Sequence, residues 1–118
     1  MRARSSSRPP SVGERAILEW IAAHALPADS PYREQIKNVR VVGQCGCGCP
    51  TIDLAVSESR ADQSEGLEIV AEAGAVSPEG YRVALMLFAS KGELVCLEFL
   101  SSDASVFTLP AANTLHSE

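Results

Sequence analysis

The hydrophobic pattern of this 118-residue chain changes period once, near Val39, and does not change back. Before that point apolar residues recur at helical spacing; after it they alternate with polar ones and the β-branched content rises, which is the pattern of strands. A chain that places its helices first and then runs only strands has no helical crossovers with which to wind a parallel sheet. The expected fold is therefore α+β, with two N-terminal helices packed on one face of a four- to five-stranded, mainly antiparallel sheet. The other face is expected to be partly solvated.

Ser11 followed by Glu14 is a capping-box pair, so a helix is predicted from about Val12. Ile17, Leu18, Ile21 and Ala25 form its apolar stripe, with Trp20 and His24 on the border and Glu14, Arg15 and Glu19 more exposed; Pro27 ends it. Ser30-Pro31 opens a short second helix over 32–37, with Asn38 as its stop. Strands are predicted at 39–44, 51–56, 67–76, 81–90 and 93–101. Pro78-Glu79-Gly80 and Lys91-Gly92 are the turns of the later strands. Val83, Leu85 and Leu87 should face either Leu94 and Cys96 or Val95, Leu97 and Phe99 across the last hairpin. In the strand before it, Leu67, Ile69, Ala71 and Ala73 share one face, and Glu68, Val70, Glu72 and Gly74 the other. Positions 57–66 are polar and acidic and read as a mobile loop.

Hydrophobic residues make up 46% of the chain and charged residues 21%, the balance of one globular domain. The expected organisation is a disordered basic tail over 1–10, a single α+β domain over 11–110 and a frayed end over 111–118. The net charge is −5, and Arg2, Arg4 and Arg8 are spent in the tail, so nucleic acid is an unfavourable partner. The longest apolar run, 83–89, has strand length, which argues against a membrane span. The first ten residues lack the apolar segment of a secretory signal, and the expected location is cytoplasmic.

The most unusual segment is Cys45-Gly46-Cys47-Gly48-Cys49-Pro50, with a fourth cysteine, Cys96, in the last hairpin. Three readings stand. As a strand, the run would point its three thiols to one face as small buried hydrophobes. As a metal site, Cys45, Cys47 and Cys49 with Cys96 or a histidine would hold Zn²⁺. Same-face neighbours on a straight strand lie roughly 6.5 to 7 Å apart, whereas sulfurs on one zinc lie within about 4 Å, so this reading needs a folded-back loop, which the glycines permit. As a redox site, a CxC pair would need a cation such as Arg40, or a helix N-terminus, to lower a thiol pKa.

Other chemistry has little support. His24 borders an apolar stripe and His116 lies near the chain end, neither with a partner visible in the sequence. Asp53 and Glu98 alternate with apolar residues on strands, where outward-facing charge is the default. There is no GxxxxGK[ST], GxGxxG or HExxH pattern, and the few aromatic residues are scattered, so they offer no stacking platform for bases. The balance is against catalysis.

The run Cys45-Gly46-Cys47-Gly48-Cys49-Pro50-Thr51-Ile52-Asp53-Leu54, with Leu26-Pro27, Leu85-Met86-Leu87-Phe88, Leu97-Glu98 and Leu109-Pro110, resembles a group of small bacterial α+β proteins of unknown function with a CGCGCPT-type motif. The resemblance implies a bacterial origin and a small α+β domain, and it carries over no catalytic residue. It marks Cys47, Gly48, Cys49, Pro50, Asp53 and Glu98 as positions to examine. The resulting expectation is a non-enzymatic binding or regulatory module, immunity-like or accessory, with a protein partner or a second copy of itself and no cofactor. The alternative is a thiol-based zinc-binding or redox protein centred on Cys45, Cys47, Cys49 and Cys96.

Overall fold

The computed structural model describes residues 7–44, 48–56 and 66–117. Two helices, α1 (Val12–His24) and α2 (Pro31–Asn38), precede five strands: β1 (Arg40–Gln44), β2 (Ile52–Ala55), β3 (Glu68–Val76), β4 (Arg82–Ser90) and β5 (Glu93–Leu100). The strands form one sheet in the order β1-β2-β5-β4-β3, with every neighbouring pair antiparallel. The α+β class and the helix-first order expected from the change of period are both present. Among the described residues no helix is long and apolar enough to cross a membrane.

One face of the sheet carries the core. Ile17, Leu18 and Ile21 of α1 and Ile36 of α2 are buried against Leu54 of β2, Leu85 and Leu87 of β4 and Leu97 and Phe99 of β5. α1 lies against β3, whose inward positions Ala71, Ala73 and Ala75 are all small. The amide of Gln35 fastens α2 to the turn between β4 and β5, donating to Gly92 O (2.8 Å) and accepting from Leu94 N (2.9 Å).

Three bulges shift the alternation that a sequence pattern assumes. In β5, Cys96 pairs with Phe88 while Leu94 pairs with Ala89, so Val95 is the extra residue. Leu97 and Phe99 are thereby the residues facing Leu87 and Leu85, and Cys96 turns to the opposite face. In β3 the register moves between Ile69 and Ala71. Ile69 therefore does not share the face of Ala71 and Ala73, as strict alternation predicts; it stands beside Phe88 on the side away from the helices.

The capping box of α1 is complete: Ser11 Oγ accepts from Glu14 N (3.1 Å), and Glu14 Oε1 accepts from Ser11 N (2.9 Å). Glu14, expected to be exposed, is only 6% exposed. Arg8 makes this burial tolerable by holding the carboxylate with two hydrogen bonds, at 2.8 and 3.1 Å. Burial alone pushes the Glu14 carboxyl up, but the bonds from Arg8 and Ser11 override it and hold it below the usual value.

The first and the last described segments are both tied to the sheet. Arg8 exchanges backbone hydrogen bonds with Val41 (3.0 and 2.8 Å) and covers the outer edge of β1. The tail expected over 1–10 is thus attached at Arg8, while residues 1–6 lie outside the described residues. Of the end expected to fray over 111–118, the described residues 111–117 are attached. Ala112–Thr114 make one turn of 3₁₀ helix, Leu115 is buried in the core, and His116 exchanges backbone hydrogen bonds with Gly74 (both 2.9 Å) on the outer edge of β3. A small sheet with bare edges would present unpaired backbone groups to other chains, and these two segments cover part of each edge. The expected loop over 57–66 lies outside the described residues except for Gly66.

Candidate functional site

β1 and β2 are antiparallel neighbours, so the chain reverses between Gln44 and Ile52. The cysteine run lies in that reversal, and Cys45 and Cys47 are outside the described residues. A single strand through Gly48 and Cys49 is not what forms: β1 ends at Gln44, and Gly48 has φ +98°, in the left-handed region that favours glycine. A Cβ at Gly48 would also lie 3.2 Å from Val106 Cγ1. Cys49 is half-buried and packs against the core cluster; Pro50 beside it is half-buried as well.

Thr51 then docks the start of β2 onto β5. Its Oγ1 accepts from Phe99 N (3.0 Å) and donates to Phe99 O (3.3 Å), taking over where the ladder ends. Asp53 follows, opposite Cys96 and only 8% exposed.

Strand pairing orders the face away from the helices into rows. Asp53, Cys96, Phe88 and Ile69 form one row across β2, β5, β4 and β3. Glu98, Met86 and Glu72 form the next across β5, β4 and β3. Two cavities lie here, the smaller on this face and the larger beside it, where the end of β5 and the 101–107 segment meet Thr51. The larger, about 550 Å³, has Cys49, Thr51, Glu98, Leu100, Asp103 and Phe107 among its walls. The smaller, about 240 Å³, is lined by Thr51, Leu67, Phe88, Cys96 and Glu98. They adjoin at Thr51 and Glu98, near the end of the β2–β5 junction, and are together called the groove.

The structure therefore brings Cys49, Asp53, Cys96 and Glu98 to one region, with Gly48 and Pro50 in the supporting loop. Thr51, Leu67 and Phe88 were not singled out in the sequence. Thr51 was within reach as the residue that follows the cysteine-proline run, but the positions of Leu67 and Phe88 depend on the β3 bulge and on pairing between distant strands.

The charged side chains that line the groove among the described residues are acidic. They are Glu98 and Asp103, with Glu72 in the row beside Met86. Asp103 accepts from Arg82 N (3.0 Å), and the Arg82 guanidinium lies 4.0 Å away. Among the described residues Glu72 and Glu98 make no ion pair. Several cations are occupied elsewhere: Arg8 on Glu14, Arg15 on Ile36 O (2.8 Å), Arg33 on Leu26 O (2.9 Å) and Lys37 on Glu34.

Neither histidine lines the groove. His24 stacks on Trp20 in α1 with ring centroids 4.6 Å apart, and His116 sits on the β3 edge. Among the described residues no group of three or more His, Cys, Asp or Glu side chains is placed to hold a metal ion. The arrangement is a partly apolar groove with acidic side chains in its walls. No family model, curated protein or solved structure matches this chain.

Proposed function

We propose that the chain is a non-enzymatic binding module, immunity-like or accessory, that covers a protein partner with the open face of its sheet. One observation carries this reading. Large apolar side chains stand in water on or beside the face opposite the helices, with Leu67 50%, Ile69 46% and Leu100 56% exposed, and they flank the acid-lined groove. Apolar surface grouped in this way, with polar residues around it, is characteristic of interaction sites.

The test is quantitative affinity purification from the source cells with Phe88→Lys and Leu100→Lys on the open face and Glu19→Lys on α1. A partner should be lost with the first two variants and retained with the third, while all three keep their unfolding midpoints. The reading fails if every partner tolerates the open-face charges, or if purified protein turns over a substrate and loses that activity in Cys49→Ser.

A second reading, a thiol-based zinc or redox site built from Cys45, Cys47, Cys49 and Cys96 within a cytoplasmic protein, is favoured by one observation. Cys49 and Cys96 line adjoining cavities that share Thr51 and Glu98.

A further inference from the structure

We propose that the groove across Thr51 and Glu98 takes an extended, cationic segment of a partner protein, with a lysine or arginine stem in the smaller cavity and its charged head at Glu98. The proposal rests on the binding-module reading and specifies the chemistry of the partner.

Three features of the groove converge on such a segment. The first is charge: among the described residues no lysine or arginine lines either cavity and the charged walls are acidic, with Glu98 making no ion pair and Asp103 offset in part by Arg82 at 4.0 Å. Such a field attracts basic segments and repels acidic ones, including nucleic acid. The second is the chemistry of the smaller cavity, where Leu67 and Phe88 give an apolar wall and Glu98 a carboxylate. A lysine or arginine presents the matching pair, an aliphatic stem and a charged head, and an aromatic wall adds attraction for the cation. The third is spacing. Glu98 and Glu72 flank Met86 across two interstrand steps, which places their strands roughly 9 to 10 Å apart. Basic residues at alternate positions of an extended segment, about 7 Å apart, bridge that span with their flexible side chains.

A second copy of the chain is a poorer occupant. A two-fold contact through this face would bring Glu72, Glu98 and Asp103 near the same residues of the partner copy, on a chain whose net charge is −5.

The experiment uses the full ¹⁵N-labelled chain and three blocked heptapeptides, GLKTKLG, GLQTQLG and GLETELG. The lysine peptide should shift amides of β4, β5 and 101–107, bind at least about 10-fold more tightly than the glutamine peptide, and weaken as salt rises. Glu98→Gln should weaken it about fivefold, while Glu19→Gln on α1 leaves it unchanged. Equal binding of the glutamine peptide, indifference to Glu98→Gln, shifts confined to the helical layer, or a dimer that buries the groove would each overturn the proposal. If the glutamine or glutamate peptide binds the groove as well as the lysine peptide does, the module stands and the cationic preference fails. If no peptide binds, the cationic segment is refuted, and the affinity purification decides separately whether the open face has a partner.

Discussion

Asp53 and Cys96 stand opposite each other where the two-stranded and three-stranded parts of the sheet meet, and with the neighbouring Ile52–Leu97 pair they make up the β2–β5 register. The hairpin that carries the cysteine run is thus joined to the β3–β4–β5 meander along a short seam. The groove lies at the end of that seam, so side chains that close the seam also shape the groove.

Thr51 is the main such side chain, since its hydroxyl satisfies both backbone groups of Phe99. Thr51→Val should cost about 1–3 kcal/mol in urea unfolding, because the Phe99 amide loses its acceptor in a partly buried place. Thr51→Ser should keep most of that stability. Hydrogen exchange at Phe99 should accelerate in the valine variant alone; an unchanged rate would remove Thr51 from the seam.

Gly48 and Gly80 separate two costs. Both have positive φ, +98° and +94°, but a Cβ at Gly48 meets Val106 while one at Gly80 meets open space. Gly80→Ala should destabilise by about 1 kcal/mol through backbone strain alone. Gly48→Ala should cost more, and adding Val106→Ala should recover the excess. Equal effects at the two glycines would mean that the Val106 contact is without consequence.

The Arg8–Glu14 pair gives a pH dependence of known sign. The folded carboxyl titrates below its ordinary value of 4.5, so its contribution is complete above that value and is lost as pH falls through the lower folded value. Wild type and Glu14→Gln, which keeps the capping box but loses the charge pair, should differ by at most about 1 kcal/mol in urea unfolding at pH 7 and converge in acid. A difference that grows on acidification would contradict the assignment.

Much of the architecture was legible because an antiparallel sheet with one wet face writes its alternation into the chain. Val83, Leu85 and Leu87 against Leu97 and Phe99 is one of the two registers that the alternation allows. Alternation does not reveal a bulge, and a single extra residue at Val70 sends Leu67 and Ile69 away from the core. Glu14 departs from the exposure its position predicts for a related reason: its burial depends on Arg8, whose backbone is itself held by Val41. Within the candidate site the cysteine, Asp53 and Glu98 positions stood out locally, whereas their meeting with Leu67 and Phe88 required β5 to lie between β2 and β4.

Leu115 tests whether the C-terminal segment belongs to the fold. It is 8% exposed and joins the core cluster. Leu115→Ala should cost about 2 kcal/mol in urea unfolding, at the low end for a leucine truncated in a core. A cost near zero would return residues 111–117 to a frayed end.

The thiol alternative can be tested by metal content. Protein purified without chelator should carry well under one zinc per chain, and EDTA should leave the urea midpoint unchanged. Stoichiometric zinc, with a midpoint that falls on chelation, would replace the binding-module reading with a structural thiolate site.

Arg8 and His116 fasten the first and last described segments to opposite outer strands of the same sheet, each by a single reciprocal pair of backbone hydrogen bonds. A pull applied through those ends therefore loads the sheet sideways, across its strands, so that hydrogen bonds open one after another instead of shearing together. The molecule should yield at low force. The terminal bridges should give way first, and the brief β2–β5 junction should part before the longer β3–β4–β5 ladders.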